Sequence, residues 1–84
     1  MARLARVLER CRSRSVISFR EFENLLQGFG FRLARVSGSH KIYRNDQVRR
    51  SLSVQPDGKD AKVYQVRMLL GIVDELGLRL RDDE

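Results

Sequence analysis

The stretch GFRLARVSGSHKIYR, residues 30–44, decides the fold, because the periodicity of the chain changes here from helical to extended. From Phe31 onward the side chains alternate as in a strand, with residues 31, 33 and 35 on one side and residues 32, 34 and 36 on the other. Ser37-Gly38-Ser39 is typical of a tight turn. Residues 40–44 follow as a second strand. The stretch therefore predicts a β-hairpin with His40 directly after its turn.

Two helices are predicted before this hairpin. Leu4, Val7, Leu8 and Cys11 recur at helical spacing, and Ser13-Arg14-Ser15 interrupts the pattern. Ser18 and Glu21 have the spacing of a capping box, in which each side chain binds a free backbone N–H of the other residue. An apolar stripe follows, and Gly28 and Gly30 end the second helix. The stripe consists of Phe19, Phe22, Leu25, Leu26 and Phe29.

The remainder of the chain predicts a third strand and a last helix. After a turn at residues 45–47, the strand runs from Arg49 to Gln55, and Pro56-Asp57-Gly58 stops it. The helix runs from about Ala61 to Leu76, with Gly77 as its end signal. The order of helix, helix, three antiparallel strands and helix predicts an α+β, two-layer fold. Little chain remains to cover the second face of the sheet, which we expect to receive a ligand or a partner.

The charge of the chain favours a polyanionic partner. The 84 residues include 17 Lys or Arg and 11 Asp or Glu, which gives a net charge of +6. Nucleic acid is the first expectation for such a balance, an acidic protein the second and a membrane surface the third. Lysine occurs only three times, and the arginine excess leans toward nucleic acid because guanidinium groups match phosphate oxygens. A merely solubilising surface remains the alternative.

Other classes of protein are disfavoured. A single cysteine, Cys11, allows neither an internal disulfide nor a cysteine-based metal site, and one histidine does not complete a metal ligand set. We therefore expect no metal and no cofactor. The basic N-terminus is followed by no continuous apolar run, so a secretory signal and a membrane span are not expected, and cytoplasmic residence is the default.

His40 is the residue most suited to chemistry. Imidazole exchanges protons near neutral pH, and RNA cleavage without a metal needs a base for the ribose 2′-hydroxyl and an acid for the leaving 5′-oxygen. It also needs cations around the phosphate, for which Lys41, Arg44 or Lys59 are candidates, while Tyr43 could stack on a base or donate a proton. A lone surface histidine among basic residues is nevertheless more often incidental than catalytic.

The segment with the glycine turn resembles the HicA family of toxins, small mRNA interferases of prokaryotic toxin–antitoxin systems. The family pattern GFxxxRxxGSHxIF is followed by residues 30–43, with Tyr43 in place of Phe. Pro56-Asp57-Gly58-Lys59 before a helix, and Leu25, Leu26 and Gly28 before the pattern, add to the similarity. The resemblance extends from about Ser18 to Leu78.

The resemblance implies a fold like that of double-stranded-RNA-binding domains, α-β-β-β-α, with an extra N-terminal helix. Its domain bounds would be a helical extension at residues 1–15, a toxin domain at 16–80 and an acidic tail at 81–84. His40 aligns with the family's catalytic histidine. The predicted RNA-binding residues are Ser39, Lys41, Tyr43, Arg44 and Lys59.

The resemblance also implies partners: an mRNA substrate, a HicB-type antitoxin that covers the active face, and operator DNA bound by the toxin–antitoxin complex. Three hypotheses follow from the sequence. The first is a metal-independent endoribonuclease with His40 as general acid or base. The second is an RNA-binding module of the same fold that does not cleave, and the third is an interaction protein whose basic surface serves an acidic partner.

Overall fold

A computed structural model describes residues 3–81, which form an α+β arrangement of helices and antiparallel sheets. The helices and the three-stranded sheet follow each other in the order expected from the sequence, with a small second sheet between the third strand and the last helix. The elements are α1 (Arg3–Arg12), α2 (Phe19–Gly28), β1 (Arg32–Ser37), β2 (His40–Arg44), β3 (Leu52–Val54), β4 (Pro56–Asp57), β5 (Asp60–Ala61) and α3 (Val63–Leu76).

Helix α2 begins with the predicted capping box. Ser18 Oγ accepts from the backbone N–H of Glu21 at 3.0 Å, and Glu21 Oε1 accepts from the backbone N–H of Ser18 at 2.9 Å. Both donors would otherwise lack a partner at the helix start. The predicted apolar stripe of α2 is buried and forms one core with side chains of the sheet and of α3. The fully buried members of this core include Phe22, Leu25, Leu26, Tyr43 and Leu69.

The three-stranded sheet has the order β1-β2-β3, with both pairs antiparallel. The strict alternation predicted for β1 is wrong, because the register shifts between Leu33 and Arg35. Leu33 pairs with Tyr43 and Arg35 with Ile42, so Ala34 is the extra residue of a β-bulge. Paired residues share a face, and the bulge therefore sets Arg35 on the face opposite Leu33.

The region after β2 differs from the prediction in two ways. The predicted third strand is too long: only Leu52–Val54 is a strand, because pairing with β2 reaches no further than these three residues. Pro56–Asp57 does not simply stop the chain but pairs with Asp60–Ala61 in a second hairpin. Ala61 belongs to that hairpin and its N–H donates to Ile17 O at 3.0 Å, so α3 begins at Val63 instead of Ala61. The helix ends at the left-handed Gly77, as predicted.

Helix α1 packs against the rest of the molecule through the predicted apolar stripe. Val7 and Cys11 are buried in the common core. Two ion pairs flank this contact, and they join Arg10 to Glu21 of α2 and Arg12 to Asp74 of α3, both at 2.7 Å. The predicted acidic tail lies outside the described residues, except for residue 81. Between residues 3 and 81, no helix has the length and hydropathy needed to cross a membrane.

Candidate functional site

A two-residue turn positions His40 at the start of β2. Ser37 pairs with His40 across the hairpin, so residues 38 and 39 form the turn. Gly38 has φ +62°, and nothing lies within 4 Å of where its Cβ would be. Glycine is needed here for its backbone conformation and not for lack of space. The imidazole is exposed at the first residue of β2.

His40 lines a groove of about 310 Å³ between the sheet and the N-terminal half of α3. The opposite wall of the groove is formed by helix residues, and its floor lies along the edge of β3. Its polar and exposed members include His40, Arg50, Ser51, Ser53, Tyr64 and Met68. From the sequence, Arg50 was predicted to lie in a strand, and neither Tyr64 nor Met68 was predicted to belong to a site. The groove thus joins the predicted catalytic histidine to an arginine, a tyrosine and a thioether.

Buried Gln65 holds the helical wall of the groove against β3. Its Oε1 accepts from the backbone N–H of Gln55 at 3.2 Å, and its Nε2 donates to Ser53 O at 3.4 Å. Nε2 also donates to the hydroxyl of Tyr64 at 3.3 Å. The phenol of Tyr64 is therefore tethered although its side chain is 60% exposed. The Tyr64 hydroxyl serves as an acceptor in this contact and keeps its own proton for another partner.

Lys41 and Tyr43 lie on the core-facing side of β2, opposite the side that carries His40, and neither lines the groove. Both bind Glu23 of α2: Lys41 Nζ donates to its Oε2 at 3.0 Å, and the Tyr43 hydroxyl donates to the same oxygen at 2.6 Å. Lys41 Nζ also lies 5.7 Å from the centroid of the Phe19 ring. Burial, together with the hydrogen bond to Glu23 and its charge, raises the pKa of Tyr43 to about 12. These two residues link the sheet to α2.

The other three predicted RNA-binding residues are exposed, but none of them lines the groove. Ser39 lies in the turn directly before His40. Arg44 ends β2 opposite Arg32, on the face that carries His40 and Arg35. Lys59 lies in the turn between β4 and β5, where its carbonyl accepts from the N–H of Phe19 at 2.8 Å. The structure thus places Ser39 and Arg44 near one surface and Lys59 at a separate hairpin.

The face of the sheet opposite the core presents a row of cations. Register places Arg32, Arg35, Arg44 and His40 on this face. All four are exposed, and Arg32 contacts Asp46 at 3.3 Å in an ion pair of little strength at the surface. Within residues 3–81, no three His, Cys, Asp or Glu side chains converge as metal ligands.

The family model for the HicA toxin of bacterial toxin–antitoxin systems matches residues 19–76. This range includes α2, both sheets, α3 and every residue of the groove. The chain belongs to the HicA toxin family. Comparison with curated proteins and with solved structures finds no significant match.

Membership in the HicA family makes the chain a toxin of a toxin–antitoxin pair, so an antitoxin is its partner. The matched range begins at the first residue of α2 and ends at the last residue of α3. Helix α1 lies outside it, although its side chains share the core. The groove is thus a feature of the matched part of this HicA toxin, and α1 supports that part from outside it.

Proposed function

We propose that this HicA toxin is an endoribonuclease that cleaves mRNA without a metal ion, with His40 as its general acid or base. The observation that carries the proposal is the shared groove, in which His40 lies with the exposed guanidinium of Arg50. A proton-transfer group and a cation on one concave surface are what the cleavage of a phosphodiester needs. The basic face of the sheet leads to this surface and supports the assignment of RNA as the substrate.

In this reaction the ribose 2′-hydroxyl attacks the adjacent phosphorus. One group removes the proton of that hydroxyl, another protonates the departing 5′-oxygen, and the bond between phosphorus and that oxygen breaks. The products are a 2′,3′-cyclic phosphate and a 5′-hydroxyl end. His40 performs one of the two proton transfers. Arg50 stabilises the negative charge that develops on the phosphate oxygens.

The predicted RNA-binding residues divide into two groups in this proposal. Ser39 and Arg44 contact the RNA backbone at the outer face of the three-stranded sheet, and Lys59 binds a phosphate further along the RNA. Lys41 and Tyr43 are bound to Glu23 on the opposite face, so we assign them a supporting role: they hold β2, and with it His40, against α2.

The partner of the same surface is a HicB-type antitoxin. An antitoxin that blocks cleavage has to keep RNA out of the groove, and an acidic segment would compete for the cations that bind phosphate. The complex of toxin and antitoxin, and not the toxin alone, would then bind operator DNA.

The test is cleavage of a defined RNA by the antitoxin-free toxin in the presence of a chelator. We expect His40→Ala to lower the cleavage rate by at least about a hundredfold, the lower end of what a positioned proton-transfer group contributes. Arg50→Ala should weaken RNA binding. It should also reduce the slope of the logarithm of the binding constant against the logarithm of salt concentration by about 1, as for loss of one phosphate contact. Arg20→Ala removes the same charge from an exposed position on α2 and serves as the matched control.

Undiminished cleavage by folded His40→Ala would refute the catalytic assignment. Salt-dependent RNA binding without any cleavage, in nuclease-free preparations, would instead identify a non-catalytic RNA-binding module. No RNA binding at low salt beside tight antitoxin binding would identify a protein whose basic surface serves only its partner.

A further inference from the structure

Tyr64 and Met68 form an exposed apolar pair across the groove from His40. They are one helical turn apart on α3, and each lines the groove. Their exposed fractions are 60% and 42%, whereas Leu69 and Ile72 of the same helix are buried in the core. Neither side chain is therefore needed to bury α3 against the sheet.

The Tyr64 ring is also held in place. The hydrogen bond from Gln65 Nε2 to its hydroxyl, together with the bonds of Gln65 to the β3 edge, limits the rotation of the phenol. An exposed aromatic side chain that is fixed before binding loses little conformational entropy when a ligand arrives. A phenol next to a flexible, polarisable thioether provides a flat apolar surface that adapts to ligands of several shapes.

We propose that Tyr64 and Met68 form a stacking platform for an unpaired nucleobase of the RNA, which makes single-stranded RNA the substrate. This inference rests on the proposed function, since it names the substrate class of the same groove. Arg50 and the cations of the sheet bind the backbone, and the base of the adjacent nucleotide turns onto the platform. Stacking on an aromatic side chain is tolerant of base identity, because every base has a π-face.

A duplex does not fit this arrangement. In an A-form helix the bases are stacked on each other, and a protein that reads such a helix contacts phosphates and 2′-hydroxyls. An exposed aromatic ring that offers its face to a single base has no role in that mode. The exposed ring of Tyr64 therefore distinguishes single-strand binding from the duplex binding that the fold resemblance alone would suggest.

The test is equilibrium binding of short 2′-O-methyl RNA, which cannot be cleaved because its 2′-oxygen is blocked. The unmodified toxin is compared with Tyr64→Ala, Tyr64→Phe and Val63→Ala. Val63 is the adjacent residue, it is 57% exposed and it does not line the groove, so it is the matched control. We expect Tyr64→Ala to bind roughly ten- to a hundredfold more weakly, as for loss of one stacked base. Tyr64→Phe and Val63→Ala should bind within about threefold of the unmodified toxin.

A second arm identifies the stacked base. Replacing one nucleotide at a time by an abasic residue should weaken binding to the unmodified toxin at one position, and Tyr64→Ala should be insensitive to that replacement. Circular dichroism of each variant confirms that it is folded. Fluorescence offers a direct readout, because the chain has two tyrosines and no tryptophan, and Tyr43 is buried.

The platform is refuted if Tyr64→Ala binds within about twofold of the unmodified toxin, or if duplex RNA binds as tightly as the single strand. Equal losses for Tyr64→Phe and Tyr64→Ala would also refute it, because the hydroxyl and not the ring would then be responsible. If any of these results is found while cleavage still depends on His40, the platform is wrong and the proposed function stands. Absence of all RNA binding by the unmodified toxin overturns the proposed function together with it.

Discussion

The buried hydroxyl of Tyr43 ties β2 to α2 through Glu23. Its pKa of about 12 lies above the ordinary value of 10, because burial and the nearby carboxylate both disfavour the phenolate. The folded chain therefore retains a proton that the unfolded chain loses first. The stabilisation from this raised pKa is complete below about pH 10 and is lost as the pH rises toward about 12.

Tyr43→Phe tests this linkage. We expect the variant to be less stable at neutral pH by about 1–3 kcal/mol, since a hydrogen bond to a charged acceptor is lost. Between about pH 9 and pH 11 the difference between the two proteins should shrink by an amount on the order of 1 kcal/mol, because the unfolded chain loses the phenolic proton in this range and the folded chain keeps it. Urea denaturation at both pH values measures it. Groups other than Tyr43 titrate in both proteins and cancel in the comparison, and a constant difference would contradict the raised pKa.

Single residues of the site were predictable only where their chemistry or their family pattern marked them. His40 follows a glycine turn, and the turn is present as expected. Tyr64 and Met68 were missed, because the apolar spacing of the last helix does not reveal which stripe is buried. Lys41 and Tyr43 were predicted to bind RNA because they lie close to His40 in sequence, yet residues one or three positions apart on a strand point to opposite faces. That these two side chains contact RNA stays a prediction from the sequence, whereas their hydrogen bonds to Glu23 support the holding role proposed above.

Among the elements, α2 is specified by local interactions that the sequence displays directly. The pKa of Glu21 is lowered, first by its hydrogen bond with the Ser18 backbone and next by Arg10. Its carboxylate contributes stability above the ordinary carboxyl range, and this stability is lost as the pH falls through the lowered value. The start of α2 should therefore loosen on acidification.

Ser18→Ala is the direct test of the capping box. It removes the acceptor for the Glu21 N–H, and we expect the free energy of unfolding to fall by about 0.5–2 kcal/mol. Ser18→Asp should restore most of the loss, because aspartate also caps helix starts. Thermal or urea denaturation measures both variants. Equal stability of Ser18→Ala and the unmodified toxin would show that the box is not needed once α2 is packed in the core.

The sheet was less predictable than the helices, because strand ends depend on distant partners. Nothing local marks Ala34 as a bulge, and the bulge decides which arginines share the face of His40. The strand predicted from Arg49 to Gln55 is reduced to Leu52–Val54, because only these three residues pair with β2. The Pro56–Ala61 hairpin was mistaken for a simple stop, since Gly58 suits a turn within a hairpin as well as a turn before a helix.

On the scale of the whole molecule, the core lies on one face of the sheet and the arginines on the other, while the groove runs along the β3 edge between the sheet and α3. The faces of α2 and α3 and the inner side of the sheet enclose the apolar core, while the outer side carries arginines and leads to the groove. Helix α1 adds to the core from the side of α2 and supplies no residue to the groove. The sequence predicted α1 only as a helical extension, and the structure buries its apolar stripe in the core of the same chain.

Val7→Ala separates stability from function in this arrangement. The side chain is 7% exposed, and its truncation should lower the free energy of unfolding by roughly 1–3 kcal/mol, as for other buried aliphatic groups. The rate of RNA cleavage per folded molecule, measured well below the melting temperature, should not change, because no α1 residue lines the groove. A lower cleavage rate in fully folded Val7→Ala would mean that α1 shapes the site through α2. The proposed domain boundary near residue 16 would then divide one functional unit.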